Sequence, residues 1–94
     1  VVTKKQIDTC VEVAKKYGIR KLMLFGSAND DMNHARDIDL LCYGLSEIDV
    51  LRMSGEIENR TGILVDAIPA DQETPFVRMN VVRGKVLYDA ARAA

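Results

Sequence analysis

The chain has 94 residues, 48% apolar and 29% charged. That is a globular composition, expected to form a single domain over residues 1–94 with one core burying ~60–65% of the unfolded surface. With 13 basic and 14 acidic residues the net charge is −1, so stand-alone nucleic-acid binding is not expected, and the apolar runs of about five residues fall far short of the ~20 that span a bilayer.

From Thr3 to Tyr17 the residues Ile7, Cys10, Val11 and Ala14 follow the i, i+3, i+4, i+7 spacing of one helical face. Thr3 is placed to cap this helix, and Gly18 to end it in the left-handed conformation. Leu22-Met23-Leu24-Phe25, ended by Gly26, predicts a buried strand, and Ile38–Tyr43, entered through Asp37, predicts a second. A helix follows over Glu47–Arg60, with Ser46 as its cap and Asp49 reaching back as a short capping box. Val50, Met53 and Ile57 form its core stripe, and Gly62 ends it. Ile63–Ile68 predicts a third strand stopped by Pro69, a short helical turn follows from Pro75 to Val82, and Val86-Leu87-Tyr88 predicts a last strand at a sheet edge. The fold class is therefore α/β (α+β), a small mixed β-sheet flanked by helices, because two strands follow one another without a clear helix between them. Cys10 and Cys42 lie inside apolar patterns and read as reduced core residues. With no basic-then-apolar segment at the start, the expected location is the cytoplasm.

Three features carry chemistry. Phe25-Gly26-Ser27 ends a strand where glycine permits close approach of a ligand and serine adds a hydroxyl. If a helix follows, its free N–H groups make a phosphate cradle; otherwise the dipeptide is a turn. Asp37 and Asp39 are two residues apart on a strand and share a face, with Ile38 and Leu40 turned to the core. Like charges so placed repel unless a divalent cation such as Mg²⁺ or Mn²⁺ lies between them, or unless both are simply solvated. Asp66 interrupts an otherwise apolar strand, a costly position unless it is metal-bound or faces water on an edge. If its strand lies beside that of Asp37 and Asp39, three carboxylates share one face and can hold two Mg²⁺ for phosphoryl or nucleotidyl transfer.

Phe25-Gly26-Ser27, nine intervening residues and Asp37-Ile38-Asp39-Leu40 together resemble the signature of the polymerase-beta-like nucleotidyltransferase superfamily. Leu24-Phe25-Gly26-Ser27-Ala28 and Asp37-Ile38-Asp39-Leu40-Leu41 are similar in particular to its minimal members, stand-alone prokaryotic domains of about this length. Asp66 stands where their third carboxylate falls, and Gly84-Lys85-Val86-Leu87-Tyr88 is similar to their usual ending. The resemblance implies an enzyme that moves a nucleoside monophosphate, AMP from ATP, onto a hydroxyl. Gly26 and Ser27 would hold the β- and γ-phosphates, Asp37 and Asp39 would bridge two Mg²⁺ (or Mn²⁺), and Asp66 would bind the catalytic metal. The acceptor would come from a partner, which the resemblance makes a small helical HEPN-type protein in a toxin–antitoxin pair, within a homo- or hetero-oligomer. The chain departs from the family in one stretch: many minimal members follow the serine with Arg-Ala-x-Gly, and here Ala28-Asn29-Asp30-Asp31 stands instead. Arg36 is the expected replacement cation. That departure motivates a second reading, a catalytically silent module that neutralises or binds a helical partner. A third is a small domain binding a structural cation. His34 is expected to be a solvated loop residue. Tyr17, Phe25, Tyr43 and Phe76 are expected to pack, and Lys4, Lys5, Lys15, Lys16, Arg20 and Lys21 to form the wet side of the first helix.

Overall fold

The computed structural model describes residues 1–93. In chain order it runs α1 (Lys4–Lys16), β1 (Lys21–Phe25), α2 (Ser27–Asp30), β2 (Asp37–Tyr43), α3 (Glu47–Thr61), β3 (Leu64–Pro69), α4 (Pro75–Arg83), β4 (Lys85–Asp89) and α5 (Ala90–Ala93). The strands form one mixed sheet in the order β3-β2-β1-β4. β1 is antiparallel to both β2 and β4, whereas β2 and β3 are parallel, with α3 making the crossover between them.

Capping chemistry sets the ends of the two long helices. The Thr3 hydroxyl accepts the Gln6 N–H at 3.2 Å and Gln6 Oε1 accepts the Thr3 N–H at 2.9 Å, a reciprocal box not foreseen from the sequence. At α3 only half of the expected box forms. The Ser46 hydroxyl accepts the Asp49 N–H at 3.1 Å, but the Asp49 carboxylate pairs instead with Arg52 at 3.8 Å, aspartate being a methylene shorter than the glutamate or glutamine of a full box. Gly62 ends α3 with φ +74°, as its position predicts.

The sheet has an α1–α3 face and an α4 face. Ile7, Cys10, Val13 and Ala14 of α1 and Val50, Met53 and Ile57 of α3 pack on Leu22, Leu24, Ile38, Leu40, Cys42 and Val65 to make the main core. Both cysteines are buried there and unpaired, and burial pushes each thiol up to about 12. The α1 stripe is rotated from the expected one: Val13 is fully buried and Val11 only half-buried. The α3 helix packs on the Val13 flank, where Lys16–Glu56 (2.6 Å) and Arg60–Glu12 (3.3 Å) tie the helices together, leaving Val11 at the rim. On the second face α4 crosses the sheet, Val77 packing with Met23, Phe25, Leu41 and Ala70. The basic residues do not all line α1: Arg20 and Lys21 lie against the Tyr43 ring at 5.7 and 4.7 Å, and Arg20 pairs with Asp71 at 2.8 Å.

Candidate functional site

The strand registers place three side chains in a row across the α4 face. Phe25 of β1 pairs with Asp39 of β2, which pairs in turn with Asp66 of β3. Directly paired residues share a face with Cβ atoms ~4.5–5.5 Å apart, so Asp39 has a phenyl ring on one side and a carboxylate on the other. Asp37 is two residues along β2 on the same face, opposite Leu64. The sequence-predicted carboxylates are thus brought to one end of the sheet. Asp39 is half-buried and Asp37 and Asp66 are exposed.

Asp66 lies on the outer strand of the sheet, so the desolvation expected of a charge within a buried strand does not arise. The strain in this cluster falls on Asp39. Burial raises its pKa above the ordinary carboxylate value, and the neighbouring negative charges of Asp66 and Asp37 raise it further. Among the described residues no group of three His, Cys, Asp or Glu side chains closes around a common point as a ready metal cage. The donor set itself is all oxygen, and Asp39 carries a surplus of negative surroundings that a divalent cation relieves. The row therefore suits a hard ion such as Mg²⁺ or Mn²⁺.

Gly26 turns the chain at the end of β1 with φ +73° and caps α2, its carbonyl accepting the Asn29 and Asp30 N–H groups at 3.1 and 3.2 Å. A Cβ at this position would collide with Asp39 Oδ2, so the turn leaves room for the carboxylate only as glycine. The exposed Ser27 opens α2 beside it, and the first N–H groups of that turn have no acceptor within the helix.

The stretch after Ser27 is held by its own contacts. Ala28 is buried, the Asn29 side-chain amide donates to the Arg83 carbonyl at 2.8 Å, and Asp31 accepts the Asn33 N–H at 3.0 Å. Asp31 also meets Nδ1 of the exposed His34 at 2.6 Å. Arg36, immediately before β2, is exposed and in no ion pair found among the described residues. Phe76, expected to pack, is 48% exposed, its ring meeting Phe25 edge-on at 5.9 Å and 84°. That α4 walls this end of the sheet is not foreseeable from residues 75–83 alone.

No helix among the described residues is long and apolar enough to cross a membrane. Curated protein sequences include no match to this chain. The fold is similar to several solved structures. A toxin–antitoxin complex with AMP-PNP is 18% identical with a TM-score of 0.76, covering 93% of this chain and 76% of that one. A Shewanella oneidensis complex of tri-AMPylated HEPN toxin with MNT antitoxin is 16% identical with a TM-score of 0.73, covering 96% and 75%. The MntA–HepT toxin–antitoxin is 16% identical with a TM-score of 0.72, covering 97% and 76%. Residues 8–93 match the family described as polymerase beta, nucleotidyltransferase, and with that match spanning the carboxylate row and the Gly-Ser turn the chain belongs to the nucleotidyltransferase family.

Proposed function

We propose that this chain acts as one nucleotidyltransferase domain that transfers AMP from ATP, with Mg²⁺, to a hydroxyl on a partner protein. The observation that carries this reading is the Phe25–Asp39–Asp66 row, with Asp39 seated against Gly26 and Asp37 on the same face. Asp37, Asp39 and Asp66 would hold the divalent ions, which supply neutralisation of charge on the attacking and leaving oxygens. Gly26 and Ser27 would seat the β- and γ-phosphates and direct the α-phosphorus towards Asp39. The acceptor oxygen bonds to the α-phosphorus as the bond to the β-phosphate oxygen breaks. Pyrophosphate leaves, and the hydroxyl proton passes to solvent. The exposure of Asp66 on an edge strand keeps that side of the row open to an acceptor.

A HEPN-type helical protein is the proposed partner, in the cytoplasm of a prokaryote. The fold neighbours that pair an MNT antitoxin with a HEPN toxin, one of them AMPylated, support that choice. The test is incubation with such a partner, Mg²⁺ and ATP labelled at the α-phosphate. Addition of one or more AMP groups to the partner is expected, abolished by EDTA and by Asp39→Asn. A partner that binds but gains no label with any nucleoside triphosphate overturns the reading. That outcome favours the second reading, a silent module that neutralises its partner by occlusion. It is supported by the absence of any Lys or Arg from Ala28 to Asp31 and by the engagement of Asp31 with His34.

A further inference from the structure

A triphosphate seated on Gly26 and Ser27 carries several negative charges, yet α2 contains no cation and ends in Asp30. The structure brings a cation-bearing segment, the last turn of α4, to this turn from elsewhere in the chain. The Asn29 side-chain amide donates to the Arg83 carbonyl at 2.8 Å, fastening the last turn of α4 to α2 across 54 positions of sequence. Gly84 holds the same end of α4 against the strand leading into Gly26, where an added Cβ would lie 3.0 Å from the Leu24 carbonyl and 2.8 Å from that of Asn80. Arg83 is seven residues from Phe76, so the two lie within about 20° of each other around α4. The Phe76 ring meets Phe25, the neighbour of Asp39, so this flank of α4 is the one at the carboxylate row.

The remaining cations of the region are differently placed. Arg78 is two residues from Phe76, about 200° around the helix. Lys85 pairs with Leu24 and shares its face, opposite the Phe25–Asp39–Asp66 row; it lines one hollow with Lys4 and Ile7 and a second with Ala28, Asn29 and Asp30, both of which include Leu24. Arg83 is exposed and in none of the ion pairs among the described residues.

We infer that Arg83 is the cationic contact for the triphosphate, supplied from α4 in place of a cation in the turn after Ser27. This assignment rests on the nucleotidyl-transfer reading. It makes Asn29 a positioning residue, one that acts by holding the α4 terminus beside the phosphates. An arginine in a last helical turn also complements the helix dipole, and that role by itself touches stability and not nucleotide discrimination.

The experiment measures binding of MgATP, MgADP and AMP to the wild type and to Arg83→Gln, Arg83→Lys and Arg36→Gln, together with the unliganded Tm. Arg83→Gln is expected to weaken MgATP about tenfold or more, MgADP less, and AMP not at all, with Tm nearly unchanged; Arg83→Lys should recover part of the loss. Equal losses for ATP and AMP, a fall in Tm without discrimination, or transfer of the phosphate-dependent loss to Arg36→Gln overturns the assignment. A wild type that binds none of the three rejects the nucleotidyl-transfer reading as well, whereas undiminished ATP binding by Arg83→Gln rejects this assignment alone.

Discussion

The Cα of Gly26 lies so close to the Asp39 carboxylate that a methyl group there would overlap Oδ2. Two constraints meet in one residue: the left-handed φ of +73° needed to turn from β1 into α2, and the hollow into which the central carboxylate fits. Gly26→Ala is therefore expected to cost about 1–3 kcal/mol, a fall in Tm on the order of 4–8 °C per kcal/mol in a domain this small. Adding Asp39→Ala removes the colliding carboxylate and should restore part of that loss, leaving the backbone strain. Thermal unfolding of the two single variants and the double checks this. Strict additivity would mean that the contact plays no part.

Asp39 gives a pH dependence of definite sign. Burial and the charges of Asp66 and Asp37 raise its pKa, so the folded protein binds this proton more tightly than the unfolded chain. Its contribution is greatest below the ordinary carboxylate value and is lost as pH rises through the raised folded value. In EDTA at neutral pH, Asp39→Asn should be more stable than wild type by roughly 0.5–1 kcal/mol, the scale of solvent-screened charge interactions, and the difference should vanish at acid pH. Mg²⁺ should raise the wild-type Tm and leave that of the variant unmoved, while AMP transfer falls by at least about 100-fold. Urea titrations across pH, with and without Mg²⁺, give the comparison.

Much of this arrangement is local in sequence and was readable there. The Asp37–Asp39 alternation, the Gly26-Ser27 turn, the caps at Thr3 and Ser46 and the stop at Gly62 each depend on residues a few positions apart. What pattern reasoning could not supply depends on which strand lies beside which. Asp66 pairs with Asp39 because the α3 crossover returns β3 parallel to β2, and its exposure follows from the outer position of β3. The α4 wall is less legible still: the Phe25–Phe76 and Asn29–Arg83 contacts join segments about fifty residues apart, and α4 is not strongly two-sided in composition.

The rotated face of α1 exchanges the roles of two valines, since periodicity puts Val11 on the core stripe and leaves Val13 off it. Val13 is fully buried beside α3, and Val11 lies half-buried at the rim. Val13→Ala should cost about 2 kcal/mol, from two lost methylene equivalents and the cavity left by incomplete relaxation, and Val11→Ala well under half of that. Chemical denaturation of both variants is the check. A larger cost at Val11 than at Val13 would place the packing seam where the periodicity alone predicted it.

At the end of the sheet remote from the carboxylate row, Asp71 joins the loop after β3 to the turn after β2. Its Oδ2 accepts the Gly44 N–H at 2.9 Å and its Oδ1 meets Arg20 at 2.8 Å. The backbone bond first, and then the Arg20 side chain, hold its carboxyl below the ordinary value. A lowered folded pKa has the opposite consequence to that at Asp39: the stabilisation is present above the unfolded value and is lost as pH falls through the folded one. Both side chains are about half exposed, so solvent screening limits the ion pair and the Gly44 bond makes the larger contribution. Asp71→Ala is expected to cost about 0.5–1.5 kcal/mol at pH 7, and Arg20→Ala less. On acidification the wild type and Asp71→Ala should converge in Tm while the difference between wild type and Asp39→Asn closes from the other side. A gap at Asp71 that stays constant from neutral to strongly acid pH would show that the residue acts through packing and not through its charge.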